Sequence, residues 1–125
     1  MKLTKKRYEI FSRAVYEALF YLGMTDWNVQ IFKRKLKEAD AQTSTHHPSK
    51  RAFISINSDD QHVSDDDVIN SGYHEVVEIL LSPLEKYMTE TAKKIIEEER
   101  HAIINRIVFL LEIIRKLEKQ KGVKK

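Results

Sequence analysis

The stretch Gly72-Tyr73-His74-Glu75-Val76-Val77-Glu78-Ile79-Leu80-Leu81 decides the fold, because it lies in a longer segment whose apolar residues recur at three- and four-residue steps. That segment runs from Asp65 to about Leu81, and its acidic start, with Ser64 three residues before Asp67, is typical of a helix N-terminus. Its apolar positions are Val68, Ile69, Gly72, Tyr73, Val76, Val77, Leu80 and Leu81. A stripe this wide predicts a helix that is buried over much of its surface.

The segments on either side predict the other elements. Residues 3–22 and 89–120 have the helical period, whereas residues 27–31 and 51–57 alternate between apolar and polar side chains as half-buried strands do. Residues 41–45 can add a short third strand. The sequence therefore predicts an α+β fold with an N-terminal helix, a small antiparallel sheet of two or three strands, a central helix and a long C-terminal helix.

Length and composition predict one domain over residues 1–125, ordered from about residue 3 to residue 120, with a basic C-terminal tail at 119–125. Pro83 follows Ser82 near the end of the central helix, and this pair predicts a kink or a fresh helix start. The chain contains no cysteine, which excludes disulfides and thiolate ligands. Any metal ion would therefore be held by histidine and carboxylate side chains.

The distribution of charge and apolar residues bears on location and partners. The formal net charge is +3, and much of the positive charge lies at the two ends of the chain. Such ends are more often solubilising than specific for nucleic acid, so nucleic acid is an unlikely partner. The N-terminus lacks an apolar signal core, and the apolar stretches fall short of the roughly 20 residues of a membrane span. We expect a cytoplasmic protein that does not bind membranes.

His74 and Glu78 form the first candidate for chemistry. They are four residues apart, so on a helix both side chains project from the same face about one turn apart. Both can therefore bind the same metal ion. Glu75 points about 100° away and can reach a water on that ion from the side. This is the logic of the His-Glu-x-x-His zinc hydrolases, with Glu75 as the general base and Glu78 in place of the second histidine. The alternative is an exposed helix face on which Glu78 pairs with a lysine or arginine.

A third ligand has to come from another element, and the long C-terminal helix offers His101 and three acidic residues, Glu97, Glu98 and Glu99. His101 shares a helix face with apolar residues at 104, 108 and 111, and Glu98 lies one turn before it. We therefore expect His101 and Glu98 to face inward, where the helix meets its neighbours.

Four short stretches resemble a known family, the small zincin-like metallopeptidases of bacteriophages and prophages. They are Trp27-Asn28-Val29-Gln30-Ile31, Ile54-Ser55-Ile56, His74-Glu75-Val76-Val77-Glu78-Ile79-Leu80-Leu81-Ser82-Pro83-Leu84 and Ile103-Ile104-Asn105-Arg106-Ile107. The resemblance covers about residues 25 to 112. It implies a zinc-dependent peptidase with a minimal zincin-like fold, acting on a peptide or protein in the cytoplasm of a phage-infected or prophage-bearing bacterium.

The chain departs from the pattern of this family at two positions. Glu78 stands at the second histidine of the motif, and His101 stands about where the later helix of the family presents an acidic ligand. The two ligand types have thus exchanged places, and two imidazoles and one carboxylate remain, a set common in catalytic zinc sites. On this basis we predict His74, Glu78 and His101 as zinc ligands and Glu75 as the catalytic base. Glu98 or Glu99 is the fallback third ligand.

A competing hypothesis makes the chain a non-catalytic interaction or assembly protein. The C-terminal helix carries more apolar residues than one small sheet can cover, so it can pair with the first helix or with a second copy as a homodimer. His74 and His101 would then only be packed, and the metal site would be degenerate.

The remaining polar residues have simpler interpretations. His46 and His47 precede Pro48 in an expected surface turn, and His62 lies in an acidic loop where nothing in the sequence fixes it against a cleft. The aspartates at 65–67 are expected to cap a helix rather than to hold a cation. No Gly-x-Ser-x-Gly elbow is present, so the sequence does not predict a catalytic serine.

Overall fold

Three helices and three strands make up the part of the chain that the computed structural model describes, residues 1–46, 48–85 and 90–123. Side chains are described at all of these positions except 84, 85, 90–96, 98, 122 and 123. The elements in chain order are α1 (Lys5–Tyr21), β1 (Asn28–Arg34), β2 (Ala41–His46), β3 (Arg51–Asn57), α2 (Asp65–Glu85) and α3 (Glu90–Val123). The predicted α+β fold is confirmed.

Helix α1 lies within the predicted residues 3–22, and it begins two residues later and ends one residue earlier. The Thr4 side chain caps the N-terminus by accepting a hydrogen bond of 3.1 Å from the Arg7 amide. At the other end Gly23 adopts a φ of 68°, a left-handed conformation that glycine reaches without steric cost. The buried side of α1 is contributed by Phe11, Ala14, Val15, Ala18 and Leu19.

The sheet is mixed, so the prediction of an antiparallel sheet was wrong for one of its two strand pairs. Its strand order is β1-β3-β2, in which β2 pairs antiparallel with β3 and β1 pairs parallel with β3. The chain crosses from one edge of the sheet to the other before β3 enters between the two earlier strands. Successive strands still alternate in direction, and this crossing is what makes β1 and β3 parallel.

The side chain of Asn57 holds the segment that crosses between the edges. Its amide nitrogen donates to the carbonyl oxygens of Leu36 and Ala39 at 3.1 and 2.9 Å, and its Oδ1 accepts from the Leu36 amide at 3.2 Å. Asn57 and Leu36 are both buried, so the two bonds between them satisfy backbone groups that have lost access to water. The crossing therefore depends on a side chain at the end of β3.

Helix α2 lies at the centre of the molecule, where it packs against α1, β2 and α3. Gly72 allows the close approach to α1, because a Cβ atom there would stand 2.9 Å from the Ala14 Cβ and 3.1 Å from the Phe11 carbonyl oxygen. The prediction of a largely buried helix is confirmed, although Leu80 is exposed and Ile79 is fully buried in its place. The fully buried side chains of α2 are Val68, Tyr73, Val76, Val77 and Ile79.

Pro83 lies inside α2, and the helix continues to Glu85 without a fresh start at Ser82. Proline has no amide hydrogen to donate to the carbonyl of Ile79, four residues earlier. The Ser82 hydroxyl donates to that carbonyl oxygen instead, at 2.7 Å. The lost backbone hydrogen bond is thus replaced locally.

Helix α3 buries Ile104 and Leu111 against the core and leaves much of its apolar surface in solvent. None of the helices in the described ranges is long and apolar enough to cross a membrane. The exposed large apolar side chains of α3 are Ile103, Phe109, Leu110, Ile113, Ile114 and Leu117.

Candidate functional site

His74 and Glu78 face the same side of α2, as their spacing predicts. The His74 Nε2 atom lies 3.4 Å from the Glu78 Oε1 atom, and both side chains are partly buried. The interaction with Glu78 raises the pKa of His74, against the opposing effect of burial. Burial alone would raise the pKa of Glu78, but the contact with His74 and the charge of Arg100 hold that pKa below its ordinary value. The pair is therefore stabilised as an imidazolium and a carboxylate.

Arg100 of α3 is a partner of Glu78 that the sequence did not single out. Its guanidinium forms a close ion pair with the Glu78 Oε2 atom, so the two oxygens of this carboxylate face different partners. Pairing of Glu78 with a lysine or arginine was the predicted alternative to a metal site. Here that pairing coexists with the contact to His74, and any cation that binds Glu78 has to compete with Arg100.

Glu75 is the most buried ionisable group of the candidate site, with a relative exposure of 7%. Its Oε1 atom accepts a hydrogen bond of 2.8 Å from the Thr43 hydroxyl on β2. Burial raises the pKa of Glu75, and the Thr43 hydrogen bond and the nearby His74 offset part of this effect. A carboxylate that is buried, fixed in orientation and more basic than usual is suited to take a proton.

His101 lies beside His74 but faces solvent, so the expectation that it points inward was wrong. Three residues along an α-helix correspond to a rotation of about 300° around the helix axis. The His101 side chain therefore points in a direction about 60° away from that of the buried Ile104. The ring centroids of His74 and His101 are 6.4 Å apart, with an angle of 32° between the rings. Of the fallback ligands, Glu99 is exposed, and the side chain of Glu98 lies outside the described residues.

The predicted ligands are chemically suited to zinc. The separation between His74 and Glu78 fits a zinc site, but the separation between His74 and His101 does not. Two ligands of a tetrahedral zinc, each at about 2.0–2.1 Å, stand about 3.3 Å apart, which matches the separation between His74 and Glu78. Two imidazoles on one zinc bring their ring centroids to about 5 Å, so His101 would have to approach His74. As the described side chains stand, no three His, Asp or Glu residues are grouped closely enough to hold a metal ion.

Two cavities are both lined by His74 and Glu75. The large cavity has a volume of about 580 Å³ and the small cavity about 270 Å³. The large cavity also has a polar wall that includes Asp40, His62, Asp67, Asn70, Ser71 and Asn105. The small cavity is lined in addition by Gln42, Thr43, Thr45, Glu78, Ser82 and Arg100.

The structure fixes His62, which the sequence left unassigned in its loop. Its Nδ1 atom lies 2.8 Å from the Asp60 Oδ1 atom, and its Nε2 atom lies 2.8 Å from the Ser71 Oγ atom. Asp60 is held in turn by Arg7, whose NH1 atom donates to the Asp60 Oδ2 atom at 2.7 Å. An aspartate two residues before a histidine was visible in the sequence, whereas the contact with Ser71 depends on how the loop folds onto α2.

Ser64 caps the N-terminus of α2, and the aspartates at 65–67 lie in the first turn of that helix. The Ser64 hydroxyl accepts a hydrogen bond of 3.2 Å from the Asp67 amide. Asp65 faces Arg7 and Asp66 faces Arg115, each at 3.3 Å, so these carboxylates point to different cations. Their arrangement does not gather them around one ion.

The two histidines of the expected turn are not part of this site. His46 ends β2 and packs its ring edge-on against Phe53, with 5.5 Å between the centroids. His47 lies outside the described residues.

Comparison with models of known protein families and with curated proteins gave no match to the chain. The likeness to the zincin-like phage peptidases therefore stays a prediction from the sequence motifs.

Proposed function

We propose that the chain is a zinc-dependent hydrolase of the peptidase type, with His74, Glu78 and His101 as metal ligands and Glu75 as the general base. The observation that carries the proposal is the pair of His74 and Glu78, which has the spacing of two zinc ligands and lies beside the buried Glu75. His74 and Glu78 stand 3.4 Å apart, the His101 ring lies 6.4 Å from that of His74, and Glu75 is buried beside them. The cytoplasmic location implied by the resemblance is part of the same proposal.

Each residue has a defined part in this chemistry. A bound zinc ion would act as a Lewis acid and lower the pKa of a water molecule at its open position. The Glu75 carboxylate takes the proton from the attacking water, and Thr43 holds Oε1 by a 2.8 Å hydrogen bond so that Oε2 remains available for the proton. Glu75 then returns the proton to the leaving amine. Burial favours this exchange because it raises the pKa of Glu75.

A peptide substrate can bind along β2. Among the described strands, none pairs with the outer edge of β2, so its backbone groups there can accept an extended peptide as a further strand. Thr43 lies on β2 and contacts Glu75, so a peptide on this edge would pass next to the base. Thr43 and Thr45 also line the small cavity, which can receive a side chain of the peptide.

Metal analysis of protein prepared without a histidine tag tests this function. We expect one zinc per chain at neutral pH, with loss of most of it in the single variants His74→Ala and His101→Ala. His46→Ala serves as the matched control, because His46 is also exposed but lies at the end of β2 away from these ligands. Wild-type protein without stoichiometric zinc would rule out the hydrolase.

A second candidate function is assembly through α3. The observation in its favour is the set of large apolar side chains that α3 leaves in solvent, which includes Phe109 at 61% and Leu110 at 57% exposure. Residues 103, 110 and 117 are spaced by seven and thus fall on one side of the helix, as in a coiled-coil seam. Sedimentation equilibrium would show a homodimer if this face pairs with a second copy, and a monomer at high concentration would exclude that pairing.

A further inference from the structure

We propose that Ser71 is a nucleophile for acyl transfer, with His62 as its general base and Asp60 as the group that orients the base, and that its substrate is a small, uncharged ester. The three side chains form a continuous hydrogen-bonded chain with two contacts of 2.8 Å. This order of serine, imidazole and carboxylate is the arrangement that activates a hydroxyl in unrelated hydrolases. It shares no residue with the proposed zinc site, although His74 and Glu75 line the same large cavity, and it needs no metal.

The protonation of the His62 ring follows from its two partners. Since an ionised carboxylate can only accept hydrogen bonds, the Nδ1 atom must carry the proton that faces Asp60. In the neutral ring Nε2 is then the acceptor, and it lies 2.8 Å from the Ser71 Oγ atom. Burial opposes ionisation of Asp60, but the hydrogen bonds from the His62 amide and from Arg7 hold the pKa of Asp60 below its ordinary value. The ring is therefore held in the tautomer that can take a proton from Ser71.

The surrounding structure fixes the positions of His62 and Ser71. The His62 amide donates to the Asp60 Oδ1 atom at 3.0 Å, and the His62 carbonyl oxygen accepts from Arg7 at 2.9 Å. The His62 side chain is only 4% exposed. Ser71 lies on α2 directly before Gly72, where α2 packs closely against α1. The base and the nucleophile are thus held in one geometry without a ligand.

The large cavity gives this serine access to a substrate. Ser71 and His62 both line it, and its volume of about 580 Å³ is in the range of small-molecule sites. Asn70 and Asn105 line the same cavity and carry amide groups that can donate hydrogen bonds to a developing oxyanion. The acidic residues of the wall are Asp40, Asp67 and Glu75. Their negative charge disfavours an anionic ester.

The reaction balances with water as the only co-reactant. The Ser71 oxygen attacks the acyl carbon while its proton passes to His62 Nε2, and the bond to the leaving alkoxide breaks as that alkoxide takes the proton from His62. Water then attacks the acyl-serine and gives one proton to His62. That proton returns to the Ser71 oxygen as the carboxylic acid leaves.

Labelling of the wild-type chain with an uncharged alkyl fluorophosphonate tests the proposal directly. We expect a bond between the Ser71 oxygen and phosphorus with release of fluoride, located by peptide mass spectrometry, in the presence and absence of a chelator. Ser49 is the internal control, because it is exposed and its hydroxyl donates to the His46 carbonyl oxygen at 3.2 Å rather than to a histidine ring. In the variant His62→Gln we expect labelling of Ser71 to slow by about 100-fold or more, the usual contribution of a general base.

Three results would overturn the proposal. The first is an unmodified Ser71 under conditions in which trypsin reacts to completion. The second is labelling of Ser71 no faster than labelling of Ser49 on the same chain. The third is an unchanged rate in folded His62→Gln protein. If that variant does not fold, Asp60→Asn provides the test, since it keeps the shape of the side chain and removes the carboxylate that orients His62, and an unchanged rate there overturns the proposal equally.

Discussion

The hydroxyl of Thr43 on β2 donates a hydrogen bond of 2.8 Å to the buried carboxylate of Glu75 on α2. This contact joins the edge of the sheet to the central helix at the wall of the small cavity, which both residues line. It also gives one oxygen of Glu75 a protein partner in place of water. The stability of the fold and the basicity of Glu75 are therefore coupled through a single hydroxyl.

Replacing Thr43 with valine is expected to destabilise the protein by about 1–3 kcal/mol, because a buried acceptor loses its partner while the shape of the side chain is kept. Urea unfolding at pH 7 measures this change. Thr45→Val is the matched control, since Thr45 lies on the same face of β2 and also lines the small cavity. We expect the control to change the free energy of unfolding by less than about 0.5 kcal/mol. Equal losses in the two variants would contradict the role given to the Thr43 hydrogen bond.

Replacing Glu75 with glutamine is expected to stabilise the fold at neutral pH and to abolish hydrolysis. Burial raises the pKa of Glu75 above its ordinary value of 4.5, so ionisation of Glu75 costs free energy in the folded state. This cost is absent below the unfolded-state pKa and appears as the pH rises through the raised folded-state pKa. The gain at pH 7 should be about 1.4 kcal/mol for each pKa unit of the shift.

Unfolding of wild-type and Glu75→Gln protein at pH 7 and again below pH 4 measures this difference. The gain should disappear at the acidic pH, where both side chains are uncharged. A variant that is less stable than the wild type at pH 7 would show that the ionised carboxylate is favoured by its surroundings.

Replacing Arg100 with glutamine is expected to raise the affinity for zinc by about tenfold, because the ion pair with Glu78 competes with any metal for the same carboxylate. Isothermal titration with zinc at pH 7 measures the affinity. Arg106→Gln on the same helix is the control, since Arg106 is exposed and lies outside both cavities. If zinc binds Arg100→Gln more weakly than the wild type, Glu78 is not a ligand or needs Arg100 to hold it in place.

Replacing Asn57 with alanine is expected to destabilise the protein by about 3 kcal/mol, because the buried amide and carbonyl of Leu36 lose their partners and a third hydrogen bond, to the carbonyl of residue 39, is lost. Thermal unfolding followed by circular dichroism measures the loss. Asn28→Ala is the control, since Asn28 is exposed at the start of β1. A loss in Asn57→Ala no larger than that of the control would mean that the crossing segment is held by other contacts.

Local elements were predicted well because their signals are contained in neighbouring residues. The three helices and the strands β1 and β3 follow from periodicity, whereas β2 was left open as a possible third strand. The shared face of His74 and Glu78 follows from helical geometry. The sheet topology did not follow, because strand order depends on the bonds that Asn57 makes with a segment about 20 residues earlier in the chain. Ser82 and Pro83 predicted a kink or a fresh helix start, but α2 continues to Glu85. The Ser82 hydroxyl supplies the hydrogen bond that Pro83 cannot make.

The sequence by itself determined the candidate chemistry, since it contains no cysteine and places His74, Glu75 and Glu78 on one helix. The tertiary structure alone decided which groups meet these side chains. Thr43 reaches Glu75 from β2, Arg100 reaches Glu78 from α3, and His62 reaches Ser71 from a loop. The physical reason is that the pattern of a helix or strand specifies which face a residue occupies. The partner opposite that face depends on the packing of elements that are distant in the chain.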